Sequence, residues 1–101
     1  MPELYFDVRW PDGRTQRCYS PSTVIEDYFT PGSVYGVADF VARSREALHL
    51  ASERVRARYG IACTAAEAQL AEIERVAAGF GATPWAAVTV ERISDADGRE
   101  R

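Results

Sequence analysis

The first twenty residues constrain the fold most, because apolar and polar side chains alternate there around a tight turn. A strand over residues 3–10 has two unlike sides, with Leu4, Phe6, Val8 and Trp10 on one and Tyr5, Asp7 and Arg9 on the other. The segment Trp10-Pro11-Asp12-Gly13 is typical of a type I turn in a three-residue hairpin loop, since proline suits its second position and glycine its left-handed residue. The pattern predicts a β-hairpin with a return strand over residues 14–20.

The turn also sets the register of the two strands. Cys18 is predicted to be buried beside Phe6, while Asp7 and Arg17 form an ion pair on the opposite face. The predicted cross-strand pairs are Tyr5–Tyr19, Phe6–Cys18, Asp7–Arg17, Val8–Gln16 and Trp10–Arg14.

The middle of the chain has helical periodicity. Ser20-Pro21 favours the start of a short helix, with serine as the N-cap and proline at the first helical position. A long helix is predicted over about residues 35–59, with Gly60 as its stop. The capping box Thr64–Glu67 predicts a third helix, and a last strand is predicted over about residues 85–93.

The predicted element order is β-β-α-α-α-β, which indicates the α+β class. A three-stranded, mostly antiparallel sheet with the helices packed on one face buries all the apolar stripes, and we expect the last strand to lie beside the first. Residues 1–93 are predicted to form a single domain, followed by a polar C-terminal tail over residues 94–101.

Composition excludes several function classes. The net charge is -3, which disfavours nucleic-acid binding, and all 12 basic residues are arginine, which rules out lysine chemistry. Cys18 and Cys63 are the only cysteines and are not arranged as metal ligands, so no metal or cofactor is expected. No stretch is long and apolar enough for a membrane span, and we expect a cytoplasmic protein with free thiols and no membrane partner.

Several single residues have a chemical and a structural interpretation. Cys18 is interpreted as a core residue, and Cys63, just before a predicted helix, as a packed residue with some potential for reactivity. His49 has Glu46 and Glu53 on the same side of the long helix, which is more typical of a solvated face than of a metal site. The arginines of that helix are interpreted in the same way, as part of a charged solvated face, although a phosphate-binding strip is the alternative: Arg43, Arg45, Arg54, Arg56 and Arg58.

The outer face of the sheet is the first candidate site. Its partner-binding residues are predicted to be Tyr5, Asp7, Arg9, Arg17 and Tyr19, because tyrosine and arginine are enriched at interface hot spots. This face would bind another protein or a second copy of the chain, and free strand edges make a homodimer plausible. An ordinary solvated sheet face is the alternative.

A second candidate site would hold a small ligand. Backbone amides at the predicted helix starts can bind an anion, and the residues assigned to that site are Trp10, Ser20, Ser22 and Cys63.

Several blocks of the sequence resemble a family of small bacterial nitrogen-starvation response proteins. The blocks are Val8–Gly13, Arg17–Ser22, Val37–Ser44 and Ala51–Arg56, and the likeness covers about residues 1–93. The resemblance implies a bacterial nitrogen-metabolism context and an association with a gene cluster that includes a nitrilase and a radical S-adenosylmethionine protein. It implies no catalytic residue.

Together these observations favour a non-enzymatic accessory or regulatory protein of a nitrogen-scavenging response that acts through protein contact. They leave open a small-ligand-binding protein or small enzyme of the same pathway, with an anion site at a helix N-terminus.

Overall fold

The N-terminal hairpin forms with the predicted register. The computed structural model describes residues 2–101, so Met1 of the predicted domain lies outside the described residues. Strands β1 (Leu4–Arg9) and β2 (Thr15–Ser20) pair antiparallel. In the turn, Trp10 N–H donates to Arg14 O (2.8 Å) and Gly13, at φ +89°, donates to Trp10 O (2.9 Å). The pairs Tyr5–Tyr19, Phe6–Cys18, Asp7–Arg17 and Val8–Gln16 are all confirmed.

In the described part of the chain the sheet has four strands, one more than predicted. Strand β3 (Val34–Gly36) and strand β4 (Ala87–Asp95) complete an antiparallel sheet of order β2-β1-β4-β3. The last strand lies beside the first, as expected, and the α+β class is confirmed. The predicted count of three strands is wrong because a three-residue strand leaves too short a pattern to separate it from the following helix.

Residues 2–101 contain two α-helices, α1 (Val37–Tyr59) and α2 (Thr64–Ala78), where three helices are predicted. The predicted first helix is a 3₁₀ helix at Thr23–Asp27. Helix α1 ends at Gly60, which adopts φ +80°, as the sequence predicts. Its start is not capped by a side chain; Val37 and Ala38 instead donate their N–H groups to carbonyls of the segment that precedes β4.

Two predicted N-caps are wrong. Ser22, and not Ser20, caps the 3₁₀ helix by accepting a hydrogen bond from Val24 N–H (3.3 Å). Cys63 is the N-cap of α2, so Thr64 is already the first helical residue and forms no capping box. In both cases the cap lies within two residues of the predicted position.

The core lies between the sheet and the two helices. Phe29 stacks on Phe6, with ring centroids 5.7 Å apart, and contacts Phe40 at 5.2 Å. Phe40 of α1 and Ile73 of α2 belong to the same buried cluster as Phe6, so both helices cover the same face of the sheet, as predicted. The side chains exposed by no more than 2% include Leu4, Phe6, Val8, Trp10, Cys18, Ile25, Phe29, Phe40, Leu48, Ile73, Val88, Val90 and Ile93.

Strand β4 continues past its predicted end near residue 93. Asp95 N–H donates to Arg99 O (2.8 Å) and Gly98 N–H to Asp95 O (3.0 Å), a second turn with the hydrogen-bond pattern of the first. Arg101 N–H then donates to Ile93 O (2.9 Å). The last residues therefore run back along the edge of β4 that β1 does not occupy.

Candidate protein-binding face

The hairpin positions the five predicted partner-binding residues on one surface. Tyr5, Asp7 and Arg9 alternate with buried residues of β1, and Arg17 and Tyr19 do the same in β2. Both helices pack on the other side of the sheet. The five side chains thus share the uncovered side, which we call the outer face.

Asp7 is the centre of an ion-pair network on the outer face. Its two carboxylate oxygens accept hydrogen bonds from Arg17 Nε (3.1 Å) and Arg92 Nε (3.0 Å). Partial burial of Asp7 opposes its ionisation, but the hydrogen bonds from both arginines outweigh it and lower the pKa of the carboxyl. Asp7 therefore stays ionised and keeps both guanidinium groups in place.

The tyrosine pair lies beside this network. The rings of Tyr5 and Tyr19 are 5.6 Å apart, and the Arg17 guanidinium lies 5.4 Å from the centroid of the Tyr5 ring. Burial, helped by a hydrogen bond with Glu3, raises the pKa of Tyr19 to about 12, so its hydroxyl remains a neutral donor. The result is a pre-ordered group of two aromatic rings and one cation.

Strand β4 adds charged residues to this face. A β-bulge opposite Asp7 and Val8 leaves Glu91 and Arg92 both exposed in succession. Glu91 pairs with Arg9 (3.1 Å), and Arg92 pairs with Asp7. Sequence reasoning missed Arg92, because strict alternation along the strand would turn it to the core.

Sequence reasoning also missed an exposed aromatic residue just before the start of β4. Trp85 is 75% exposed on the turn in which Ala86 N–H donates to Thr83 O (2.9 Å). Val34, in β3, is 59% exposed. The signal for Trp85 is its place in the alternation of the last strand, since it shares the side of Thr89 and Glu91 and not that of the apolar Val88 and Val90.

The predicted ligand-binding residues do not form one cluster. Trp10 is buried at the hairpin turn, where its ring stacks on Phe80 (5.9 Å) and its Nε1–H donates to Gln16 Oε1 (2.9 Å). Ser20 is the last residue of β2, at the other end of the strand, and Ser22 follows it. Six residues of extended strand separate the two places by roughly 15–20 Å.

The serine hydroxyls are engaged within the protein. Ser20 Oγ donates to Ser22 O (2.7 Å), and Ser22 Oγ accepts from Arg54 Nη1 (3.1 Å) as well as from Val24 N–H. Cys63 is half-buried, and its N–H donates to Ser52 Oγ (3.3 Å). Both thiols are free; burial raises the pKa of Cys18 to about 12, which makes it a poor nucleophile.

His49, Glu46 and Glu53 line a groove of about 580 Å³ between α1 and α2. Its floor is formed by apolar side chains that include Leu48. Within residues 2–101, no group of three or more His, Cys, Asp or Glu side chains is arranged to hold a metal ion.

The arginines of α1 form separate contacts instead of one phosphate-binding strip. Arg43 binds Asp39 (3.0 Å), Arg45 binds Glu74 on α2 (2.6 Å) and Arg54 binds Ser22. None of the helices in the described part of the chain is long and apolar enough to cross a membrane.

A comparison with known protein families finds a match for most of the chain. The family model for the nitrogen starvation-induced protein NitG matches residues 5–93. No curated protein and no solved structure matches the chain.

Proposed function

The chain belongs to the NitG family of nitrogen starvation-induced proteins, and we propose that it is a non-enzymatic accessory or regulatory protein that acts through protein contact. Membership supports a role in the response to nitrogen starvation. We place that role in a bacterial nitrogen-scavenging pathway in the cytoplasm, where two free thiols are stable.

The composition and order of the outer face support a protein-binding role. Arg9, Arg17 and Arg92 are each about half exposed, at 50%, 57% and 49% of the side chain, and each is held by a carboxylate. Arginine and tyrosine are the residue types that dominate interface hot spots. Because Asp7 and the tyrosine pair already order these side chains, a partner would lose less conformational entropy on binding them.

The charge of this face favours a protein partner over a nucleic acid. The three arginines are balanced by three carboxylates. Two are Asp7 and Glu91, and the third is Glu100, whose carboxylate lies 3.8 Å from the Arg92 guanidinium. A neutral face of alternating sign offers no excess positive charge to release counterions from a phosphate backbone. It suits a polar protein surface with its own ordered charges.

A quantitative co-purification tests this role. The tagged protein is recovered from its own bacterium under nitrogen limitation, beside a variant with Tyr5→Ser and Tyr19→Ser. We expect one protein to be recovered in stoichiometric amount with the parent chain and to be lost with the double variant, because the aromatic pair is removed while the sheet backbone remains.

A matched control has Tyr59→Ser and Ile61→Ser, which remove two exposed side chains at the C-terminal end of α1 and beyond it. This control should retain the partner. Equal recovery from all three proteins, or no stoichiometric partner for the parent chain, would contradict the proposed role of the outer face.

The alternative of a small-ligand-binding protein or small enzyme has less support. Its helix N-termini would be those of the 3₁₀ helix and of α2, which begins after Cys63. The Ser20 and Ser22 oxygens at the first already have partners within the chain, and Trp10 lies at the other end of the sheet. Arg54 beside Ser22 is the one feature that suits an anion. Rapid iodoacetamide labelling of Cys63 in the native protein, slowed by phosphate or sulfate, would favour this alternative.

A further inference from the structure

The two edges of the sheet are unlike. On the β3 side, the outer edge strand has only three residues and runs directly into α1, and residues 99–101 cover the far end of β4. On the other side, β2 is a six-residue edge strand with no bulge and no proline. Proteins normally shorten, interrupt or cover such an edge, because its unpaired backbone groups bind other strands.

The direction of the free backbone groups of β2 follows from one hydrogen bond. Tyr19 N–H points away from β1 and donates to Gln69 Oε1 of α2 (2.9 Å). By the two-residue period of a strand, the N–H and C=O groups of Arg17 and Thr15 point the same way. The Gln69 side chain thus occupies the position that a carbonyl of an added strand would take.

Strand β2 of one copy can pair with β2 of a second copy in a favourable register. In a symmetric antiparallel pair, registers centred on Arg17 or on Cys18 give the longest overlap, since these residues are at the middle of β2. The first register sets two Arg17 side chains opposite each other, which is unfavourable. The second sets Arg17 of each copy opposite Tyr19 of the other, and arginine with tyrosine is an attractive pair.

The helix beside this edge leaves room for a second copy. A groove of about 460 Å³ lies between β2 and α2, and the residues that line it on the helix side include Ala65 and Ala68, both exposed. Short side chains at these positions allow another helix to approach closely. An antiparallel pair of β2 strands would bring the two α2 helices side by side on the same face.

We propose that two copies of this chain pair antiparallel through β2, in the register centred on Cys18, and form one continuous eight-stranded sheet. Gln69 then releases Tyr19 N–H, which donates to Arg17 O of the second copy. The outer faces of the two copies become one surface on the same side of the sheet, which doubles the area available to the partner of the proposed function.

The pure protein is sufficient to test this pairing. Sedimentation velocity over a concentration series should show a reversible dimer for the parent chain. Arg17→Pro removes an N–H that β1 does not use, so the hairpin should remain while the dissociation constant of the dimer rises at least about tenfold. Arg17→Ala is the matched control, since it removes the same side chain but keeps the N–H. Its dimer should have a lower dissociation constant than that of Arg17→Pro.

A second variant should change the dissociation constant of the dimer in the opposite direction. Gln69→Ala frees Tyr19 N–H for a second copy, so the dimer should tighten by a few-fold. A parent chain that stays monomeric at every concentration, or a Gln69→Ala variant that dimerises no better than the parent, would overturn the pairing. Gln69 lies on α2 and not on the outer face, so Gln69→Ala tests the pairing without changing any side chain proposed to bind the partner.

Discussion

At the scale of single residues, Asp7 shows how a local pattern becomes part of a site. Its cross-strand pairing with Arg17 follows from the hairpin turn alone. Its second partner, Arg92, comes from β4, on the side of β1 opposite to β2, and lies 85 positions further along the chain. The carboxylate therefore joins β2, β1 and β4 through one side chain, and its lowered pKa reports both contacts.

The Asp7→Asn substitution tests this network by its pH dependence. A lowered pKa in the folded state means that ionised Asp7 stabilises the fold fully above the unfolded pKa of about 3.9, and that this contribution decreases below that value and is lost as the pH falls through the lower folded pKa. Because both arginines are half exposed, we expect Asp7→Asn to lower the free energy of unfolding by about 1 kcal/mol at pH 7. Urea unfolding should show a smaller difference in the free energy of unfolding at pH 3 than at pH 7.

The exposed pair of Glu72 with Arg75 provides the control for Asp7. Glu72→Gln should change the free energy of unfolding by less than about 0.5 kcal/mol at either pH. A difference between Asp7→Asn and the parent that is the same at pH 7 and pH 3 would show that the ion pairs do not cause it.

At the scale of elements, helix boundaries divide into those encoded locally and those set by contacts. Gly60 ends α1 by adopting a left-handed conformation, which the sequence states directly. The start of α1 depends on Pro84 and Ala86, whose carbonyls accept the N–H groups of the first helical residues at 3.0 and 2.9 Å. These acceptors come from the segment before β4, so no pattern near Gly36 reveals them.

Gly60→Ala tests the local kind of boundary. At φ +80° an alanine is strained, although nothing lies within 4 Å of the added Cβ, so we expect a loss of about 1 kcal/mol in the free energy of unfolding. Gly81→Ala is the control, since Gly81 has no positive φ and its Cβ would make an ordinary contact. Both variants are compared by thermal and urea unfolding. Equal losses in the free energy of unfolding for Gly60→Ala and Gly81→Ala would contradict this account of Gly60.

At the scale of the whole molecule, the aromatic core ties the irregular segment after the 3₁₀ helix to the sheet. Phe29 lies in that segment and contacts Phe6 of β1, Phe40 of α1 and Tyr35 of β3. One side chain thus joins three elements, at an exposure of only 2%. Such a contact makes the loop part of the cooperative unit instead of a flexible connection.

Phe29→Ala measures this role. Removing a buried phenylalanine costs about 3–5 kcal/mol, which is a large part of the 5–15 kcal/mol typical of a domain. We expect a strongly lowered urea midpoint, and Phe29→Leu, which keeps most of the volume, should cost less than half as much. A loss below about 1 kcal/mol for Phe29→Ala would mean that this segment unfolds separately.

The sequence by itself determined the hairpin, its register, the end of α1 and the α+β class. These features depend on period, turn chemistry and glycine conformation, which act between residues close in the chain. Tertiary structure alone decided the third strand of the chain, the start of α1 and the pairing of Asp7 with Arg92. Each of these depends on backbone or side-chain groups that meet only after β4 has entered the sheet beside β1, a contact that joins the two ends of the chain and leaves no local pattern.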